Sequence, residues 1–166
     1  MKKLFYSFIA LATTAMTFTS CEDVPMPYNY PTDDEPVVIA ADPEGSGTAD
    51  DPYNVAAINQ IAENLEVGAS STETYYIKGK ISQIKEEYST EYGNGTFWIS
   101  DDGTTNNQFY IFRAKYLGNV SFKNGDTQIN VGDEVVICGK VVNYKGNTPE
   151  TVQNGAFLYS LNGVEK

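Results

Sequence analysis

Two periods organise the chain. Between residues 51 and 68, Ile58, Ile61, Ala62 and Leu65 recur at three- and four-residue intervals, which gathers them on one face of an amphipathic helix. Asp51 is placed to cap that helix, Pro52 takes its first position, where a missing N–H costs nothing, and Gly68 supplies a stop. From Thr72 onward the period drops to two. Tyr75, Ile77, Gly79 and Ile81 alternate with Tyr76, Lys78, Lys80 and Ser82, the pattern of a strand with one buried face. Further strands are predicted at Thr96-Phe97-Trp98-Ile99-Ser100, at Gln108-Phe109-Tyr110-Ile111-Phe112, over residues 134–144 and over residues 156–161. Turn-forming stretches separate them: residues 87–95, Asp101-Asp102-Gly103, an irregular run over 115–130 that ends at Gly132-Asp133, and Lys145-Gly146-Asn147. Gly79 and Gly139 fall inside strands, which suggests bulges or barrel corners.

The fold class that follows is mainly β: a five-stranded OB-fold-like barrel preceded by one amphipathic α-helix lying over a barrel opening or a sheet face. A long bent first strand, a hairpin, an irregular connection and a second hairpin led by Gly-Asp have the order of that barrel. Four stretches carry a closer likeness: Gly47-Thr48 with Asp51-Pro52-Tyr53-Asn54-Val55, then Tyr76-Ile77-Lys78-Gly79-Lys80-Ile81, then Thr96 through Gly103, then Gly132 through Val141. Over roughly residues 45–163 the chain resembles Bacteroidetes-type exported lipoproteins that carry an OB-fold-like domain. The resemblance implies fold and export rather than a particular activity. It departs in one respect, because the usual OB helix joins strands three and four and here a helix precedes strand one.

The N-terminus changes the picture of where this barrel works. Lys2 and Lys3 precede a short apolar run over residues 4–12, and small and hydroxyl residues lead to Thr19-Ser20-Cys21. The run is shorter than the ~20 residues a membrane-spanning helix needs, so residues 1–20 read as a lipoprotein signal peptide and Cys21 as the lipidated first residue after cleavage. Phe18 stands where Leu is usual. Residues 21–51 read as an acidic, Pro- and Gly-rich tether, apart from Val37-Val38-Ile39-Ala40-Ala41, which is expected to add an edge strand, and residues 52–166 form the barrel domain. Such a tether reaches on the order of 100 Å when extended. Only Cys21 and Cys138 are present. Acylation of Cys21 leaves Cys138 as a small apolar strand residue, and a Cys21–Cys138 disulfide is the rival reading. The expected location is the outer membrane, facing the periplasm or the cell surface.

Composition excludes much chemistry. The chain has no histidine, which removes Ser–His and Cys–His activation and the commonest zinc ligand. Asp101-Asp102-Gly103 has the composition of a turn rather than of an acid–base pair. Asp33-Asp34-Glu35, Asp101-Asp102 and Asp126 offer oxygen ligands, but no spacing matches a twelve-residue calcium loop. We expect no enzyme activity, no metal and no cofactor.

What remains is binding. Alternation sets Thr96, Trp98 and Ser100 outside on strand two, and Tyr76, Lys78 and Lys80 outside on strand one. On strand three both alternating sets are apolar, and whichever faces outward adds rings near Trp98. OB-folds bind oligonucleotides and oligosaccharides on the face of strands two and three, so Trp98, Tyr76, Lys78, Lys80, Tyr110, Arg113 and Tyr144 are the expected ligand residues. The alternative for Trp98 is burial under the helix or tether, and for Lys78 and Lys80 an ordinary solvated edge strand. Tyr88 and Tyr92 are weaker candidates in a loop. The formal charge is −11, and loss of residues 1–20 with Lys2 and Lys3 takes it to −13. That opposes binding to a phosphate backbone, although Lys78, Lys80, Arg113 and Lys140 on one face would favour it. The expected function is a lipid-anchored cell-envelope binding module for a glycan or a protein partner. Single-stranded nucleic-acid binding and a structural role in an envelope complex are the alternatives.

Overall fold

The computed structural model describes residues 41–166. The expected signal peptide, Cys21, Asp33-Asp34-Glu35 and all but the last residue of the Val37-Val38-Ile39-Ala40-Ala41 run lie outside the described residues. The elements are α1 (Val55–Glu63), β1 (Tyr75–Glu86), β2 (Asn94–Ser100), β3 (Phe109–Lys115), β4 (Glu134–Tyr144), β5 (Thr148–Leu161) and a two-residue β6 (Val164–Glu165). Hydrogen-bonded neighbours run β3-β2-β1-β4-β5-β6, and a parallel pairing of β3 with β5 closes the first five strands into a barrel. This is an OB-fold-like barrel preceded by one helix. No helix among the described residues is long and apolar enough to cross a membrane.

β1 is long because it serves two partners. Tyr75 through Lys80 pair with β4, and Lys80 through Glu86 pair with β2. It is thus a central strand, not the edge that Lys78 and Lys80 suggested. A register shift at Ser82, between Ile81 opposite Ile99 and Gln83 opposite Trp98, reverses the parity of the strand. Before the shift even-numbered residues face outward; after it Gln83 and Lys85 do.

The two barrel ends are sealed differently. Helix α1 packs on β1, β3, β4 and β5, which lays it across one end, and Val55, Ile58 and Ala62 enter the core. Gly79 permits that approach: a Cβ there would stand 3.1 Å from Val55 Cγ2 and 3.2 Å from Ile99. Its place in the strand answers to close packing rather than to a bulge. Gly139 does adjoin one, between Gly139 and Val141 on β4. At the other end an aromatic plug forms from Tyr88, Tyr116 and Phe122, with Tyr88 5.2 Å from Tyr116 and 5.7 Å from Phe122 between ring centroids. Tyr88, expected in a loop as a weak ligand residue, is instead a core residue whose hydroxyl donates to the Lys115 carbonyl at 3.0 Å. Burial raises its pKa far above the ordinary phenol value. The connection from β3 to β4 contains a single short 3-10 turn, Leu117–Asn119, with no α-helix.

The helix begins later than predicted. Its N-cap is Asn54, not Asp51, with Oδ1 accepting from Ala57 N–H at 2.9 Å. Asp51 closes the preceding turn instead, its carbonyl accepting from Ser46 and Gly47 N–H. That turn belongs to the domain: Asn54 Nδ2 donates to the Asp42 carbonyl and Tyr76 N–H to the Gly47 carbonyl. Residues 42–51, expected as the end of the tether, thus hydrogen-bond to the helix cap and to β1.

Candidate functional site

Register builds a band around the outside of the barrel. Gln83 on β1 stands opposite Trp98 on β2, Trp98 opposite Tyr110 on β3, Tyr110 opposite Glu150 on β5, and Glu150 opposite Val142 on β4. Paired residues share a face. The doubt over β3 is resolved by burial: Phe109 and Ile111 are fully covered in the core, so Tyr110 and Phe112 are the outward set.

Three rings consequently line up on this face, all half-buried. Trp98 and Tyr110 lie 4.7 Å apart between centroids at an interplanar angle of 31°, and Tyr110 and Phe112 lie 5.8 Å apart at 23°. At these separations the small angles stack the rings in a continuous row, a ribbon of rings each partly facing the next, rather than packing them edge to face. Trp98 is neither buried nor fully exposed, and its ring is turned towards Tyr110.

Arg113 joins the ribbon through a bulge. Phe112 and Arg113 together oppose the single residue Thr96, between the pairs Ile111 with Phe97 and Ala114 with Gly95. Arg113 has φ 50°, a left-handed backbone that non-glycine residues seldom take. Strict alternation would turn its side chain inward; instead its guanidinium lies 5.2 Å from the Phe112 centroid. Thr151 Oγ1 accepts from Phe112 N–H at 2.8 Å and holds the bulge to β5. On the far side, Lys85 Nζ donates to Tyr110 Oη at 3.2 Å and sits 5.7 Å from that ring's centroid.

The other expected ligand residues do not join. Tyr76 and Lys78 occupy the half of β1 that pairs with β4, and Tyr76 packs edge-on against Tyr159 at 4.9 Å. Lys78 meets Glu44 at 4.0 Å, an exposed pair contributing ~0–1 kcal/mol. Lys80 is nearer, opposite Ser100 two positions from Trp98, yet with Lys78 it lines a separate cavity of about 500 Å³ shared with Glu44, Asp101 and Glu134. Arg113 lines a different one, with Glu86 and Glu87, so Lys78, Lys80 and Arg113 form no single basic stripe. Tyr144 is exposed at the β4–β5 turn with Lys145 Nζ 5.0 Å from its ring centroid. Tyr92 is exposed and lines that second cavity with Arg113.

Sequence reasoning missed Phe112 as a definite member, and missed Lys85 and Glu150 altogether. The Ser82 bulge hid Lys85, because alternation counted from Tyr76 puts it inside. Glu150 lies in a stretch without a strand pattern, Thr148-Pro149-Glu150, which the observed β5 includes.

The carboxylates of Asp101, Asp102 and Asp126 serve the backbone. Asp101 Oδ1 accepts from Val55 N–H at 2.7 Å and Oδ2 from Ala56 N–H at 3.1 Å, which ties the first turn of α1 to the end of β2. Asp102 accepts from Thr104 N–H and hydroxyl at 2.8 Å each, and the Thr104 N–H chiefly holds its pKa below the usual carboxylate value. Asp126 accepts from Lys123 N–H, with the same effect. Among the described residues no three His, Cys, Asp or Glu side chains gather as a metal cluster would. Cys138 is buried and burial pushes its thiol pKa up, which disfavours the reactive thiolate. No protein-family model matches the chain. No curated protein is detectably similar to it in sequence.

Proposed function

We propose that this chain is a cell-envelope binding module, anchored by lipid on Cys21, that recognises a glycan on the Trp98–Tyr110–Phe112 ribbon. The observation that carries this reading is the ribbon: three half-buried rings, stacked in a row on the outer face of β2 and β3. OB-fold barrels use that face for oligonucleotides and oligosaccharides. Flat apolar rings suit the C–H faces of sugars, and the −13 charge left after signal removal opposes a polyanion.

The test uses the single tryptophan. Protein lacking residues 1–21 is titrated at low salt with pools of oligosaccharides and of single-stranded oligonucleotides while Trp98 fluorescence is recorded. A saturable change with sugars is expected, weakened about tenfold by Tyr110→Ala if each ring contributes ~1–3 kcal/mol, as for stacked bases. A saturable change with oligonucleotides alone would replace the glycan reading.

A further inference from the structure

The ribbon has a polar neighbour that nothing in the protein satisfies. Glu150 is directly opposite Tyr110 across the β3–β5 closure and opposite Val142 on β4, so its side chain shares the outer face of the rings. It is only 7% exposed. Among the described residues its carboxylate receives no hydrogen bond, and its charged neighbours are Lys145 in the β4–β5 turn and Lys85 on β1. Those ammonium groups are drawn elsewhere, Lys85 to the hydroxyl and ring of Tyr110 and Lys145 to the ring of Tyr144. Although the residue as a whole is covered, its carboxylate oxygens keep contact with solvent. Such a group is well suited to accept hydrogen bonds from a ligand.

We infer that Glu150 is the polar recognition residue of this face and that its ligand is a neutral, hydroxyl-rich oligosaccharide, an inference that rests on reading the ribbon as a glycan platform. A sugar lying across the outer edges of this row of rings brings its hydroxyls to where Glu150 stands, directly opposite Tyr110. Hydroxyls donate to a carboxylate, and a charged acceptor gives roughly twice the strength of a neutral one. A uronic acid or a phosphorylated glycan would instead set an anion against Glu150 within an acidic molecule. Arg113, at the Phe112 end, lies over its own ring and beside Glu86 and Glu87, which blunts it as an anion receptor.

Glu150→Gln separates the possibilities, since it keeps shape and removes charge. Wild-type and E150Q proteins are titrated with cello-, manno- and galacto-oligosaccharides and with oligogalacturonate of matched length, following Trp98 fluorescence and heat. Saturable binding of a neutral series, weakened at least tenfold in E150Q with an unchanged circular dichroism spectrum, is the expected result. Neutral binding that E150Q leaves intact would overturn the role of Glu150 while the ribbon stands. Preferential binding of oligogalacturonate would overturn the ligand class. Silence from every sugar, or a response to peptides alone, would remove the glycan platform itself.

Discussion

At the scale of single residues, Glu150 trades stability for an available acceptor. Burial raises its pKa above the ordinary glutamate value, against the attraction of Lys145 and Lys85. Tyr110 on β3 is the other titratable group facing it, while its neighbours Val142 on β4 and Trp98 on β2 carry no charge. The folded state therefore holds the Glu150 proton more tightly than the unfolded chain does. By linkage, its ionisation weakens folding above the native pKa, and that loss is regained as pH falls through the native value toward the ordinary glutamate range. Glutamine cannot ionise. E150Q should accordingly show a higher urea midpoint than wild type at pH 7, with the gap closing by pH 4. A variant less stable than wild type at pH 7 would mean that Glu150 has donors after all. Loss of sugar binding together with gained stability excludes unfolding as the cause. Arg113 has a related cost, since its left-handed backbone is strained and the bulge holds it where the guanidinium meets Phe112.

Between neighbouring elements, the link from β2 to α1 runs through Asp101. The first N–H groups of a helix have no internal partners, and here Asp101 takes those of Val55 and Ala56 while Asn54 takes that of Ala57. Asp101→Asn keeps one acceptor and turns an amide donor toward the other N–H. It should cost about 1–2 kcal/mol, read as a lower urea midpoint with faster amide exchange at Val55 and Ala56; an unchanged midpoint would show the cap to be dispensable. None of this was legible beforehand. The periodicity of Ile58, Ile61 and Ala62 reveals the helix, but a cap donated from forty-odd residues away leaves no local trace. Asp51-Pro52 looked like the better start because it satisfies local rules that Asn54 satisfies too, three residues later. The strands show the same division. Alternation located β1 to β5 because one face of each is buried, whereas the Ser82 and Phe112–Arg113 bulges arise from pairing and decide which side chains reach the ribbon. Trp98 and Tyr110 were therefore readable as neighbours, and Lys85 and Glu150 were not.

Across the whole molecule, barrel topology and charge pull in different directions, and their conflict yields a test. The OB-type face is used for nucleic acids as well as sugars, so topology alone does not choose. Charge favours the sugar, because a protein that binds phosphates releases counterions by means of Lys and Arg, and here Lys78, Lys80 and Arg113 are divided. Lys78 and Lys80 share a cavity with Glu44, Asp101 and Glu134, and Arg113 shares another with Glu86 and Glu87. Each cation thus sits among carboxylates within a chain of formal charge −11 before any processing. A protein making six to ten phosphate contacts loses ~10³–10⁵ in affinity between 50 and 200 mM salt. Stacking of a neutral sugar on the ribbon, with hydroxyls donated to Glu150, displaces no counterions from the ligand. Its affinity should change less than about twofold over the same range, since the ligand carries no charge for salt to screen. Isothermal titration of the best neutral oligosaccharide at the two salt concentrations decides the matter: a flat response keeps the ribbon and Glu150 as the binding surface, and a steep fall would mean that a polyanion occupies the face.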